Sequence, residues 1–266
     1  MNRLIFLLAC AMSAGALMLG FAIDRAWGKR VMAGDHWVRM HASGKRHSRD
    51  PAVVLLAGLG GPLEEWSKIQ PDIAQFALAV SYDRGNTKGS APCAGPHDAI
   101  HIADELHAAL ASAGIQPPYL VVGHSLGGPF ARVFTHRFPA EVAGLVLIEP
   151  TQESLFHPET FHVGDDDRRS DSELVYVVQT LAQAKAATPL PQVPVTVITG
   201  TRELSDPKSR AYRPELLAAR AQWVASIPNG RHVLAQNSYH LPQLTEPSLV
   251  VQVIRETFED AKHRVK

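Results

Sequence analysis

Tyr119-Leu-Val-Val-Gly-His-Ser-Leu-Gly-Gly128 is the segment that decides the fold of this 266-residue chain. Its apolar start is typical of a strand buried on both faces of a sheet, and the residues after Ser125 have a helical pattern. So abrupt a turn from strand to helix requires small flanking residues, which Gly123 and Gly127 provide. In this context G-x-S-x-G predicts a serine hydroxyl exposed above the carboxyl edge of the sheet, where it can act as a nucleophile.

Strand and helix patterns alternate on both sides of this segment. Such alternation predicts an α/β fold, with a mostly parallel central sheet flanked by helices on both faces. No repeat or clear linker divides the chain after residue 30, so we expect one domain over residues 31–266. The predicted strands cover residues 36–42, 52–57, 76–82, 119–122, 144–148, 193–199 and 232–235, and the predicted helices cover residues 62–74, 97–113, 126–137, 213–225 and 247–261.

One long segment interrupts the alternation. Residues 151–191 open with polar stretches and contain one helix-like stretch at residues 172–187. Because a structureless loop of this length is unusual in a compact domain, we expect a cap insertion over a site, with a surface insertion of no function as the alternative. The acidic run at residues 165–167 predicts a solvated loop, because nothing nearby supplies His or Glu at a specific ligand spacing.

A serine hydroxyl is a poor nucleophile until a general base removes its proton. His240, in Asn237-Ser-Tyr-His-Leu-Pro242, follows the last predicted strand and precedes the closing helix, as such a base should. His124 is adjacent to the serine and is expected to point back toward the sheet. The remaining candidates fit surface, packing or strand positions: His97, His101, His107 and His232.

The third group of such a site is a carboxylate that orients the imidazole and stabilises its charged form. Glu149 directly follows the strand after the serine helix, whereas Glu203 and Asp206 follow the next strand. All three lie at carboxyl ends of strands, where open α/β sheets place their sites. The residues alone leave the choice open, although Asp206, directly before Pro207, has the character of a turn residue.

A glycine-rich loop, Gly58-Leu-Gly-Gly61, follows the predicted strand at residues 52–57. It can place the Leu59 N–H beside the Leu126 N–H, and two such donors would form an oxyanion hole. A dinucleotide-binding loop fits poorly, because the G-x-x-G spacing into a helix is missing and no acidic residue closes a following strand. Chemistry at these residues needs no metal or organic cofactor.

Composition and the N-terminus limit the partners. Lys and Arg number 26, as do Asp and Glu, so the net charge is zero and general nucleic-acid binding is disfavoured. Two cysteines, Cys10 and Cys93, cannot build a disulfide framework. Nothing in the sequence fixes the oligomeric state.

Residues 4–23 are uncharged and mostly apolar, and charged residues follow at Asp24, Arg25, Lys29 and Arg30. As a helix this segment would be about 30 Å long, enough to cross a bilayer core. We expect residues 1–30 to be a signal anchor that holds the domain at a membrane on its exported side. A cleaved signal peptide, which would leave the domain secreted, and a lipoprotein signal at Cys10 are the alternatives.

Taken in chain order, these motifs resemble the α/β-hydrolase superfamily over residues 35–262. The quoted motifs are Ala57-Gly-Leu-Gly-Gly61, Tyr82-Asp-Arg-Gly85, Gly123-His-Ser-Leu-Gly-Gly128, Gly144-Leu-Val-Leu-Ile-Glu-Pro150 and Ser238-Tyr-His240. The resemblance implies that Ser125 is the nucleophile, His240 the base, and Leu59 and Leu126 the oxyanion donors. One subgroup has an aspartate at the position of Glu149, so Glu149 is favoured as the acid, with Glu203 as the alternative.

Two positions depart from the family pattern. Ala57 stands where many members have a histidine that orients the oxyanion loop, and Tyr239 stands where a glycine usually precedes the catalytic histidine. Neither change removes a catalytic group.

The resemblance implies acyl transfer to water by a serine hydrolase, a carboxylesterase or lipase, that acts on a small-molecule ester or lipid substrate. The choice of ester or lipid depends on the predicted membrane anchor and on apolar residues in the insertion. Carbon–carbon bond hydrolysis, perhydrolysis and a non-catalytic binding role on the same scaffold are the alternatives. A dehalogenase is disfavoured, because its nucleophile is a carboxylate and this chain has Ser125.

Overall fold

The computed structural model describes residues 28–87, 89–155, 173, 175–202 and 207–263. The hydrophobic segment at residues 4–23, the acidic run at 165–167, and the candidate acids Glu203 and Asp206 lie outside the described residues. In the part of the chain that is described, no helix has both the length and the apolar character needed to span a membrane.

Eight strands and seven helices are present in the described residues. The strands are β1 Lys29–Ala33, β2 His36–Ser43, β3 Ala52–Leu56, β4 Ala79–Tyr82, β5 Tyr119–His124, β6 Val142–Ile148, β7 Val195–Gly200 and β8 Gly230–Ala235. The helices are α1 Gln70–Ile73, α2 Ala99–Ser112, α3 Gly127–Arg137, α4 Val177–Ala186, α5 Pro207–Ala225, α6 Pro242–Thr245 and α7 Pro247–Lys262, and single 3₁₀ turns lie at Leu63–Trp66 and Glu153–Leu155.

All eight strands belong to one sheet, in the order β1-β2-β4-β3-β5-β6-β7-β8. β2 pairs antiparallel with both β1 and β4, and the other neighbouring pairs are parallel. The predicted α/β fold, with a mostly parallel sheet and flanking helices, is confirmed.

Apolar side chains of the sheet build one hydrophobic layer on each face. On β3, Val54 packs in the layer that contains α2 and α3, whereas its neighbour Val53 packs in the layer that contains α7. This alternation follows from the period of two residues in a strand. Phe130 of α3 and Phe258 of α7 are fully buried, one in each layer.

The predicted helix at residues 62–74 is wrong in detail, because the structure has a 3₁₀ turn at Leu63–Trp66 and then the short helix α1. Pro71 lacks the backbone N–H that a continuous helix would need at that position. The Leu63 N–H, at the start of the 3₁₀ turn, donates to the Asp83 carboxylate at 2.6 Å.

One strand, β1, was not predicted. Lys29 and Arg30, expected to flank a membrane segment, pair with Met40 and Arg39 of β2. The sheet therefore begins directly after the hydrophobic N-terminal segment.

The carboxyl ends of the parallel strands meet at one edge of the sheet. Leu56 of β3 lies beside Gly123 of β5, and His124 of β5 lies beside Ile148 of β6. The loops that follow β3, β5 and β6 therefore start next to one another, and the loop after β8 joins them at the same edge.

Candidate active site

Close approach of the backbone fixes the turn at Ser125. Its φ is +52°, in the left-handed region that residues with side chains rarely adopt. A Cβ added to Gly123 would lie 2.2 Å from the Gly127 carbonyl oxygen, and a Cβ on Gly127 would lie 2.2 Å from the Leu56 carbonyl oxygen. Both positions exclude a side chain, and the backbone has the strand–turn–helix geometry that the sequence predicts.

His124, directly before Ser125, connects this turn to the loop that carries His240. Its Nε2 donates a hydrogen bond to the His240 carbonyl oxygen at 2.7 Å, and the centroids of the two rings are 4.9 Å apart. Its Nδ1 lies 2.6 Å from Glu65 Oε1. The Glu65 carboxylate beside Nδ1 and the carbonyl oxygen that accepts from Nε2 both favour the protonated, positively charged ring. The sequence predicted that His124 points back toward the sheet and did not reveal these contacts.

Glu65 is the buried counter-charge for His124. Burial by itself would lower the pKa of His124, but the nearby Glu65 carboxylate and the His240 carbonyl oxygen outweigh burial and raise that pKa. Glu65 Oε1 also accepts from the Gln243 amide at 2.9 Å, and Oε2 accepts a long hydrogen bond from the Gly58 N–H at 3.4 Å. One carboxylate thus joins the serine turn, the glycine-rich loop and helix α6.

Of the predicted candidate acids, Glu149 is the described residue that lies beside His240. Its side chain is buried and its φ is +46°. Glu149 Oε2 lies 3.8 Å from His240 Nδ1, which is an ion-pair distance and too long for a hydrogen bond. Such contacts are often long in the free state of an enzyme and tighten when the substrate is bound.

Two buried arginines of α5 hold the Glu149 carboxylate in its charged form. Arg213 Nη2 donates to Oε1 at 2.8 Å, and Arg220 Nη1 lies 3.0 Å from Oε2. The Gly200 N–H also donates to Oε1 at 2.6 Å. Burial alone would raise the pKa of Glu149, but Arg220, His240 and Arg213 outweigh burial and lower that pKa to about 2.

Neither arginine was singled out from the sequence. They stand seven residues apart on one helix, a spacing that puts two side chains on the same helix face. The spacing could have indicated that the two arginines share a binding partner. Only the fold shows that this partner is Glu149.

His240 is held in its neutral form. Burial lowers the pKa of His240, the Glu149 carboxylate raises it, and the positive charge of His124 lowers it again, so the resulting pKa is below the ordinary value of 6.5. About a third of the side-chain surface, 32%, stays exposed, although protein surrounds the ring on its other sides. A neutral imidazole with an accessible edge can accept a proton.

Arg84 holds the glycine-rich loop that carries Leu59. Its Nη1 donates to the Ala57 carbonyl oxygen at 2.8 Å, and its Nη2 donates to the Gly58 carbonyl oxygen at 2.6 Å. The histidine that many family members have at the position of Ala57 is missing, but Arg84 supplies hydrogen bonds to this loop in its place. Arg84 comes from the loop after β4, so a group distant in sequence supplies the hydrogen bonds.

Glu173 is the counter-charge of Arg84. Its two carboxylate oxygens accept from Arg84 Nε at 3.0 Å and from Arg84 Nη2 at 2.9 Å, and both side chains are buried. Glu173 Oε1 also accepts a long hydrogen bond from the Gly60 N–H at 3.3 Å. Since Glu173 belongs to the insertion at residues 151–191, the insertion is bound directly to the loop that carries Leu59.

Most apolar residues of the insertion that the structure describes are used for packing. Val175, Val177 and Leu181 are buried in the layer that contains α2 and α3. Val178 is the large apolar side chain of α4 that remains exposed. The apolar character of this segment therefore does not by itself indicate a lipid-binding surface, contrary to the sequence argument.

Tyr239 lies on the Glu149 side of the site. The Arg213 guanidinium lies over its ring, 4.8 Å from the centroid. A Cβ on Gly200 would meet the Tyr239 carbonyl oxygen at 2.3 Å, so the end of β7 passes close to the histidine loop. The large side chain that replaces the usual glycine thus packs against Arg213, which binds Glu149.

These elements bring the candidate residues to one edge of the sheet. Ser125, His240 and Glu149 follow β5, β8 and β6, and the Leu59 loop follows β3. Leu126 directly precedes the first residue of α3, where backbone N–H groups have no partner within the helix. A hydroxyl, a neutral imidazole, a fixed carboxylate and main-chain donors together are suited to acyl transfer.

Comparison with known proteins agrees with this architecture. Residues 51–195 match the alpha/beta hydrolase fold family. The chain is 25% identical over 225 residues to the uncharacterized protein YqjL of Bacillus subtilis (strain 168), covering 79% of this chain and 84% of that protein.

Two solved structures have similar folds. VinJ superposes with a TM-score of 0.66 at 19% identity, covering 89% of this chain and 99% of that chain. A thermophilic esterase from Thermogutta terrifontis superposes with a TM-score of 0.63 at 17% identity, also covering 89% of this chain and 99% of that chain. At these identities the likeness shows the fold alone.

We expect Glu149→Gln to lower the free energy of unfolding by about 3 kcal/mol, because it leaves Arg213 and Arg220 without their buried counter-charge. The pKa of Glu149 is depressed from 4.5 to about 2 in the folded protein. Its stabilising effect should therefore be complete above pH 4.5 and be lost as the pH falls toward 2. Urea unfolding of both proteins over this pH range measures the difference.

The exposed Glu215→Gln, on the same helix as the two arginines, is the matched control and should change little. A stability difference between wild type and Glu149→Gln that does not shrink in acid would contradict the assignment of a buried, ionised Glu149.

Proposed function

The chain belongs to the alpha/beta hydrolase fold family, and from that premise we propose that it is a serine hydrolase that cleaves a carboxylic ester or related acyl substrate. The observation that carries the proposal is the hydrogen bond from His124 Nε2 to the His240 carbonyl oxygen, which connects the residue before Ser125 to the loop that carries His240. The ionised Glu149 behind the imidazole supports it.

In this proposal the Ser125 hydroxyl attacks the substrate carbonyl carbon, and His240 takes the hydroxyl proton on Nε2. The tetrahedral oxyanion accepts hydrogen bonds from the Leu59 and Leu126 N–H groups. As the intermediate collapses, the C–O bond to the alcohol breaks, and the alcohol leaves with the proton from His240. Water then attacks the acyl-enzyme, with His240 as base, and releases the acid and the serine.

Glu149 acts as the orienting acid in this scheme. Nδ1 of His240 faces Glu149, so a proton on Nδ1 leaves Nε2 free to accept the proton of the serine. The negative charge of Glu149 also stabilises the imidazolium that forms during each step. Because Arg213 and Arg220 keep the pKa of Glu149 low, the carboxylate stays charged and the proton on Nδ1 stays on the imidazole.

Esters are the substrates to test first, because protonation by His240 makes an alcohol a good leaving group. Attachment of this domain to a membrane by residues 4–23 stays a prediction, as does its position on the exported side.

Fluorophosphonate labelling tests the proposal directly. We expect the purified wild-type protein to be labelled at Ser125, because the probe needs a hydroxyl activated by a neighbouring base. Ser125→Ala should lose both labelling and turnover of p-nitrophenyl esters. Glu149→Gln should retain Ser125 but lose kcat by on the order of 10⁴-fold, as expected when the imidazole loses its orienting carboxylate.

Ser154→Ala, which changes an exposed serine, is the matched control and should behave as wild type. Failure to label Ser125, with a control hydrolase labelled in parallel, rejects the enzyme and favours a binding protein on this scaffold.

The pH dependence of kcat/KM reports on His240. Because the pKa of His240 is lowered, activity should rise with pH through a midpoint below 6.5 and then level off. His124→Gln removes the positive charge beside His240, so the midpoint should move to higher pH. Stopped assays over a pH series measure both profiles, and an unshifted midpoint in His124→Gln argues against the charged state assigned to His124.

The insertion should affect catalysis through Glu173. Glu173→Gln weakens the hold on Arg84 and hence on the oxyanion loop, so we expect kcat to fall by on the order of 10²-fold, with a smaller change in KM. Steady-state kinetics measures the changes in kcat and KM separately. Glu141→Gln, which breaks a surface contact with His107, should leave both constants near wild type.

A further inference from the structure

Three side chains with metal-binding atoms converge outside the candidate active site. His36 begins β2, Cys93 lies in the loop between β4 and α2, and Glu105 lies on α2. One ligand atom from each lies within 4.8 Å of the other two. His36 Nε2 is already 2.8 Å from Glu105 Oε2.

Glu105 presents an unused acceptor at this place. Its side chain is only 5% exposed, and Oε2 accepts from the Gly85 N–H at 2.9 Å as well as bonding to His36. Its other oxygen, Oε1, is buried without a hydrogen-bond partner among the described residues. A buried carboxylate oxygen without a donor is costly, and a bound cation removes that cost.

The loop holds the cysteine sulfur toward the carboxylate. Asn86 Nδ2 donates to Cys93 Sγ at 3.0 Å, and the Cys93 N–H donates to Asn86 Oδ1 at 3.0 Å. A Cβ on Gly85 would lie 3.0 Å from Cys93 Sγ and 2.7 Å from Glu105 Oε2. Because residue 85 is a glycine, no side chain comes between the Cys93 sulfur and the Glu105 carboxylate.

His36 is oriented from its other nitrogen. Its Nδ1 lies 2.9 Å from Asp35 Oδ1, which directs Nε2 toward Glu105 and Cys93. A carboxylate on the far nitrogen of a ligand histidine is the usual outer-shell arrangement at metal sites, where it fixes the ring and raises its basicity.

We propose that His36, Cys93 and Glu105 bind a divalent transition metal, of which Zn²⁺ fits the donor set best. A nitrogen, a sulfur and a carboxylate oxygen are its common protein ligands, and three of them leave a fourth tetrahedral position for water. Zinc bond lengths of about 2.0 to 2.3 Å put tetrahedral ligand atoms roughly 3.5 Å apart, so small side-chain shifts suffice. Binding releases the Cys93 thiol proton and the proton shared by His36 and Glu105 to solvent.

The competing interpretation is a structural ion pair between His36 and Glu105 beside an inert thiol. Co²⁺ separates the two, because a cobalt–thiolate bond produces an intense charge-transfer band that histidine or carboxylate binding does not. The experiment titrates Co²⁺ into the purified full chain, after thiol titration has confirmed that both Cys10 and Cys93 are reduced, and then adds Zn²⁺.

We expect one Co²⁺ per chain with a thiolate charge-transfer band, and loss of that band when Zn²⁺ displaces the cobalt. Cys93→Ser should lose the band, and His36→Gln should weaken Co²⁺ binding by at least about tenfold. Zn²⁺ should raise the melting temperature of the wild type more than that of Cys93→Ser, because a ligand that binds only the folded state stabilises it.

His136→Gln changes an exposed histidine on α3 and controls for surface binding. Absence of a thiolate band in the wild type, survival of the band in Cys93→Ser, or equal affinities in His36→Gln and His136→Gln would overturn the proposal. Ester hydrolysis is not the readout, so failure here is distinguishable from failure of the proposed function.

Discussion

The turn at Ser125 exists because three pieces of backbone approach more closely than any side chain would allow. The carbonyl oxygen of Leu56 packs against Gly127, and the carbonyl oxygen of Gly127 packs against Gly123. These contacts join the end of β3, the end of β5 and the start of α3 at one point. The serine, the glycine-rich loop and the helix N-terminus therefore have fixed relative positions before any polar contact is considered.

Three buried glutamates then assemble the polar part of the site around this point. Glu65 pairs with His124, Glu149 with two arginines and His240, and Glu173 with Arg84. A buried charge without a partner destabilises a fold strongly, so each pair is held only when both segments are in place. Completion of the site is thereby coupled to completion of the fold.

The insertion is part of this assembly rather than an appendage. Its buried Glu173 bonds to the loop after β3 and to the arginine after β4, and its described apolar residues extend the layer formed with α2 and α3. In the part of the insertion that is described, Glu173 holds the loop that carries Leu59, and most apolar side chains are buried rather than exposed. The apolar side chains of α4 therefore give little support for a lipid substrate, because most of them are buried in the core.

What the sequence by itself determined was the fold class, the strand–turn–helix at Ser125 and the set of candidate residues. Those features depend on local rules: apolar runs, glycine at close approaches, and placement after strand ends. The sequence also singled out Ser125, His240 and Glu149, but it left Glu149, Glu203 and Asp206 open, because all three follow strands.

Only the tertiary structure decided which charges meet. The pairing of His124 with Glu65, of Arg84 with the Ala57 carbonyl oxygen and Glu173, and of Arg213 with Glu149 joins residues from separate elements. No local pattern encodes such pairs, because their free energy depends on the burial that both partners share once the chain has folded. The same reason explains why the convergence of His36, Cys93 and Glu105 was invisible in the sequence.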